Sequence, residues 1–227
     1  MSNSIHDKRF PGESDEYRRA RNKLLQAEIE LRENIENVAR LRRQLPLGGI
    51  AKDDYVFEEI INGEVKEIKL SQLFEAEKDT LIIYSFMYGP KMENPCPACT
   101  AIIDGFNGFV HHLEQRVNFA VAAKSPVKRI TDFADSRKWN GLHLISSEKN
   151  SFNSDYFAET EEGSQMPMCD VFVKKEDGIY HFWGSELLYA PAEGHPRHMD
   201  LMWPIWNFLD LTPEGRGTDW HTKLSYD

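Results

Sequence analysis

The stretch Thr80-Leu-Ile-Ile-Tyr-Ser-Phe-Met-Tyr88, a Gly89-Pro90 break and then Asn94-Pro-Cys-Pro-Ala-Cys-Thr100 decides how the rest of the chain is read. Nine uncharged, mostly branched and aromatic residues suit a strand buried on both faces of a sheet. Downstream of the cysteines, from Ala98 to His112, the residues Ile102, Ile103, Phe106, Phe109 and Val110, with Leu113 after them, recur at helical spacing. Strand, short loop, two thiols three positions apart, and helix therefore follow one another.

If the helix begins directly after Cys96, Pro97 sits where the first turn has no use for an N–H, and Cys96 faces the unpaired amides. That position favours negative charge, so its thiol should ionise more easily than one in solution, and the thiolate is the attacking species. Cys99 lies nearly one turn later on the same face, which suits it to resolve a mixed disulfide. Two other readings compete. A structural zinc site needs four ligands, and the candidates are Cys169, alone between Met168 and Asp170, and the loop His195-Pro-Arg-His198 with Asp200. Alternatively, both cysteines are small core residues.

Working outward, Val117 to Ala123 is expected as a second buried strand. A helix is expected from Pro126 to Trp139, capped by Ser125, and a third strand from Leu142 to Ser146. Strands alternating with helices of this length pair in parallel, giving an α/β sheet. Ser147 to Gly163 reads as loop, with a turn at Asn153-Ser154-Asp155. Met168 to Val173 and Gly178 to Trp183 form an antiparallel hairpin that closes the sheet. Met166-Pro167 stands just before that hairpin. In this arrangement a cis Pro167 would lie against the cysteine pair and present the Met166 backbone to an extended substrate, although a strand-start proline requires no such role. Arg197 to Leu209 is expected as a terminal helix kinked or cut short at Pro204.

Upstream, Tyr55-Val-Phe57 and Val65 to Leu70 flank Asn62-Gly63, a tight hairpin reversal. Leu24, Leu31, Val38 and Leu45 fall at sevenfold spacing, with Ala27, Ile35 and Leu41 on the same face, so Ser14 to Leu45 is expected as an amphipathic helix capped by Ser14 and ended by Pro46 and Gly48-Gly49. The arm is expected to dock on its own domain or on a second copy, which would make a homodimer. The four tryptophans Trp183, Trp203, Trp206 and Trp220 are read as core or as a ligand surface.

With 27 basic against 37 acidic residues, a net charge of −10, the surface repels phosphates and anionic headgroups, so no nucleic acid or membrane partner is expected. No leader or membrane-spanning run is read, which places the chain in the cytoplasm. Three cysteines there do not make a structural disulfide framework.

The order of Cys96-Pro-Ala-Cys99 after a buried strand, then helix, parallel strand and a proline before a terminal hairpin, resembles the thioredoxin fold. The lead-in Tyr55 to Phe74 is similar to the opening of its peroxide-reductase branch. More closely, Cys96-Pro-Ala-Cys-Thr100 with Asp104-Gly-Phe-Asn-Gly108, Ala123-Lys-Ser-Pro126, His181-Phe-Trp-Gly-Ser-Glu186 and Asp210-Leu-Thr-Pro-Glu-Gly-Arg-Gly217 resembles the bacterial thioredoxin-like family catalogued as domain of unknown function 899. The resemblance implies an α/β, thioredoxin-like fold: a central mixed sheet flanked by helices, with an added N-terminal helix and a C-terminal extension. Residues 1–14 are expected to be loosely attached, 15–49 to form the arm and 50–227 the domain. The implied function is a thiol–disulfide oxidoreductase with Cys96 and Cys99 catalytic and Met166 and Pro167 at the substrate. It would use no metal or cofactor, and its partners would be a protein or small-molecule disulfide and a thiol reductant. The alternatives are a thiol peroxidase and a non-catalytic binding or metal-holding module. Two features depart from relatives. Pro95 precedes Cys96 where thioredoxins have tryptophan. Glu93 and Gly89 stand where peroxide reductases carry threonine and proline, and a carboxylate at 93 would oppose ionisation of a nearby thiol.

Overall fold

The computed structural model describes residues 5–191, 197–215, 217 and 220–226. Of the segment expected to be loosely attached, residues 1–4 lie outside this set, as does His195 of the alternative metal loop. The chain divides into two compact units between Pro46 and Leu47.

The first unit is built on α1 (Asp15–Arg43). Ser14 Oγ accepts the Tyr17 N–H at 3.1 Å, with Asp15 and Glu16 at the positive end and Arg40, Arg42 and Arg43 at the negative end. Arg18 Nε donates to Glu13 at 2.6 Å and its guanidinium lies over the Phe10 ring, so residues 10–13 fold back on the first turns. The helix stops before Leu45 because a residue preceding proline is disfavoured from helical dihedrals. Gln44 closes it by donating to the Arg40 and Leu41 carbonyls. Its stripe of Leu24, Leu31, Ile35, Val38 and Leu41 is exposed.

The second unit is a seven-stranded mixed sheet in a thioredoxin-like α/β arrangement. In chain order its elements are β1 (Val56–Ile61), β2 (Glu64–Lys69), β3 (Thr80–Phe86), α2 (Pro97–Leu113), β4 (Asn118–Ala123), α3 (Val127–Arg137), β5 (Leu144–Ser146), α4 (Phe152–Asp155), β6 (Met168–Lys175), β7 (Gly178–Gly184) and α5 (Ile205–Leu209). The strands run β2-β1-β5-β4-β3-β6-β7. β3, β4 and β5 pair in parallel through crossovers, whereas β6, β7 and the β1–β2 hairpin join antiparallel. Asn62 and Gly63 both take positive φ, 52° and 81°, the reversal that an Asn-Gly pair supplies.

Side chains alternate along the strands and divide the core in two. Tyr84, Phe86, Phe119 and Val121 face α2 and α3 through Ile103, Phe106 and Ile130. Leu81, Ile83, Ala120 and Phe172 face the lead-in and α4 through Tyr55, Phe57, Leu70 and Phe152. The structure departs from the sequence reading at element ends. Pro126 is the cap of α3 rather than its first residue, and β5 has only three residues. The turn expected at Asn153 is the short helix α4. The terminal helix survives only as α5, beyond Pro204, because proline supplies no N–H to a preceding turn. Among the described residues no helix is long and apolar enough to cross a membrane.

Asn118, 5% exposed, ties β4 to the connection before β3. Its Oδ1 accepts from Glu75 N at 3.0 Å and its Nδ2 donates to Lys78 O and Thr80 O at 3.1 and 3.0 Å. Asn118→Ala removes three hydrogen bonds to partly buried backbone groups, so stability should fall by about 1–3 kcal/mol in chemical denaturation with the slope unchanged. A loss under about 0.5 kcal/mol would show the side chain to be replaceable by solvent.

Candidate active site

β3 lies inside the sheet, between β4 and β6, and the chain leaves its end through residues 87–95 into the first turn of α2. Cys96 is the cap of that helix, with extended dihedrals (φ −61°, ψ 124°), and Pro97 occupies the first helical position. Cys96 N donates back to Met87 O at 3.0 Å, and Thr100 donates to Cys96 O through both N and Oγ1, at 3.0 and 2.9 Å. The sulfur is thereby fixed at the amide end of the helix. All three cysteines are free thiols; Cys96 is half-buried, Cys99 and Cys169 buried.

The local electrostatics separate the two thiols. Cys96 is lowered to about 6, chiefly by the Cys99 thiol, with burial opposing and the backbone N–H groups of Cys99 and Ala98 assisting. Cys99 is pushed well up, first by Cys96 and then by burial. The two shifts run in opposite directions, so Cys96 is the thiol of the pair that ionises first. In the loop before it, the Glu93 backbone carbonyl is occupied by Arg129. Tyr84, fully buried on β3, places its hydroxyl near Cys99 and within the field of Cys96 and Cys169; it makes no hydrogen bond of ordinary geometry.

Arg129, in the first turn of α3, holds the loop that precedes Cys96. Its guanidinium donates to Gly89 O at 3.2 Å, to Glu93 O at 2.9 Å and to Met92 O, and stacks on Tyr88 at 4.1 Å. A cation in the opening turn sits at the unfavourable end of the helix dipole, a signal in the sequence that its charge is used elsewhere. On the far side of the loop, a Cβ at Gly89 would lie 2.7 Å from Gln165 Cγ, so glycine permits the close approach.

Cys96, Cys99 and Pro167 line one cavity of about 370 Å³, together with Met87, Ile102, Met199, Trp203 and Trp206. Cys96, Cys99 and Pro167 thus meet as the sequence suggested, whereas Met166 does not line the cavity; its N–H is bonded to Ala158 O at 2.8 Å. The cis geometry expected for Pro167 is corrected: no peptide bond among the described residues is cis. A proline at the start of a strand is tolerated in trans, and the sheet register from Met168 onward carries it to the thiols unaided. Trp203 and Trp206 are both core and lining, at 7% and 5% exposure. Trp183 packs on the core without lining this cavity. Among the described residues no three His, Cys, Asp or Glu side chains converge as a metal site would require.

The sequence profile of a family described as "Bacterial protein of unknown function (DUF899)" matches residues 7–226. No curated protein matches the sequence. Among solved structures, thioredoxin peroxidase I of Plasmodium yoelii is 13% identical, with a TM-score of 0.46 over 78% of this chain and 100% of that one. Reduced Prx3 of Vibrio vulnificus in complex with H2O2 is 9% identical, TM-score 0.45, over 67% and 92%. Peroxiredoxin Q of Xanthomonas campestris is 14% identical, TM-score 0.44, over 60% and 84%.

Removing the loop clamp should loosen the approach to Cys96 without unfolding the sheet. In Arg129→Met, hydrogen exchange at the Met92 and Cys96 amides is expected to accelerate at least about tenfold, since charged hydrogen bonds contribute roughly 1.5–3 kcal/mol. Unchanged exchange at both amides would show that the loop holds itself.

Proposed function

Because the chain belongs to the DUF899 family, whose function is open, its chemistry is read from its own residues, and we propose that it is a thiol–disulfide oxidoreductase using Cys96 and Cys99. The observation that carries this reading is the division of labour between the thiols: Cys96 is lowered to about 6 beside an apolar cavity, and Cys99 stays protonated behind it.

In the first step the Cys96 thiolate attacks one sulfur of a substrate disulfide. A Cys96–substrate disulfide forms and one substrate thiolate departs. In the second, Cys99 gives its proton to that thiolate and its sulfur attacks Cys96, releasing the second substrate thiolate. The protein is left with a Cys96–Cys99 disulfide and the substrate has gained two electrons. An external thiol reductant then restores the dithiol. Pro167 forms part of the cavity wall against which substrate would lie, while Met166 supports that wall from behind through its bond to Ala158. A volume of about 370 Å³ suits a small organic disulfide more readily than a folded protein. A second reading, a thiol peroxidase, would use the same Cys96 thiolate.

Reduced protein equilibrated with oxidised glutathione across a series of redox buffers, then alkylated and analysed by mass spectrometry, should pass to a single internal Cys96–Cys99 disulfide. Cys99→Ser should instead stop at a mixed disulfide on Cys96, and Cys96→Ser should not react. A pair that never closes, or a Cys96→Ser variant that reduces glutathione disulfide as well as the parent, would remove this function. Oxidation by hydrogen peroxide at least about a hundredfold faster than by the disulfide would favour the peroxidase reading.

A further inference from the structure

On the face of the sheet opposite the thiols, Lys52, Tyr55, Tyr156, Asp170, His181 and Glu186 line a second cavity of about 350 Å³, which shares no residue with the first. The sequence segment His181 to Glu186, which the dithiol chemistry leaves unused, falls here. Its geometry is made by a bulge. Pairing between β6 and β7 passes from Phe172↔His181 to Val171↔Trp183, so Phe182 has no partner on β6 and His181 turns back toward Asp170. His181 Nε2 lies 2.9 Å from Asp170 Oδ1. On its other side the His181 backbone is held by Gly48 and Gly49, through bonds of 3.0 and 2.9 Å. A Cβ at Gly48 would stand 2.5 Å from His181 O, so only glycine allows this contact. Tyr156 stacks on the imidazole with centroids 5.3 Å apart.

Within this frame one atom lacks a partner. Asp170 is 1% exposed and its Oδ2 has no hydrogen bond. A buried carboxylate oxygen without a donor is costly and calls for an explanation. Two of the cavity's donors, Lys52 Nζ and Tyr55 Oη, are directed to Asp155, at 2.6 and 2.9 Å. Burial pushes the Asp170 carboxyl up, with His181 pulling the other way, and a cation at Oδ2 would relieve that penalty. The acids Asp155, Asp170 and Glu186 face one lysine and one histidine, leaving the lining short of positive charge. Aromatic walls from Tyr55 and Tyr156 suit an organic cation. A metal ion does not suit, because no three ligating side chains converge among the described residues.

We propose that this cavity is a second ligand site, taking a small organic molecule with a protonated amine whose N–H donates to Asp170 Oδ2 while its carbon skeleton lies against Tyr156.

The full-length protein would be titrated with benzylamine and, separately, with its neutral counterpart benzyl alcohol, following backbone amides by heteronuclear NMR. Benzylamine should give saturable shifts at Tyr156, Asp170 and His181. The alcohol should bind at least about tenfold more weakly, the loss expected for a charge-assisted hydrogen bond. Asp170→Asn should weaken the amine by a similar factor and leave the alcohol unchanged. Equal affinities for amine and alcohol in the unsubstituted protein, a measurement that does not depend on the variant folding, would overturn the proposal. So would an amine that gives no saturable shift at these three residues.

Discussion

The stabilisation of negative charge on the Cys96 sulfur is the interaction on which the proposed chemistry depends. It comes from the Cys99 thiol and from the backbone N–H groups of Cys99 and Ala98, and it exceeds the cost of partial burial. These donors are consequences of the fold. The helix follows the interior strand β3, so its first turn borders the cavity, and Pro97 opens it so that no N–H is wasted.

Around that charge the protein is built to hold still. The loop before Cys96 has no secondary structure of its own, and its backbone is tied down by the Met87 carbonyl beneath and by the Arg129 guanidinium above. Behind it, Gln165 is buried and is bonded to Asn153 and Glu159, which fixes the segment leading to Pro167. Two stretches far apart in sequence, the loop before Cys96 and the segment leading to Pro167, thus meet at one cavity, each held by hydrogen bonds rather than by regular structure. Such rigidity would suit the attacking role proposed for Cys96, because less motion has to be frozen when a substrate binds.

How much of this the sequence disclosed depends on the range of the interaction. The helix start at Cys96, the parallel strands and the Asn62-Gly63 reversal are local events, and periodicity and turn chemistry reveal them. Gly48-Gly49 shows the limit: beside Pro46 it reads as a helix stop, yet α1 has ended before it. The glycine at 48 is required by the approach to His181 O, a contact across more than half the chain. The Asp170–His181 pair was hidden for the same reason, since a bulge at Phe182 cannot be counted from one strand alone. Pro167 reached the thiols through the pairing of β6 with β3, without the cis bond that position had suggested. Arg129 left a faint local trace as a cation at the wrong end of a helix, but its targets on residues 89–93 lie in another part of the sequence.

The pH dependence of Cys96 alkylation in the reduced protein tests the central claim most directly. With iodoacetamide and peptide-level mass spectrometry, the account predicts a rate that rises with a midpoint at about pH 6 and a Cys99 that stays unmodified at neutral pH. A Cys96 rate still climbing at alkaline pH, as for an ordinary thiol, or a Cys99 that reacts first, would contradict it.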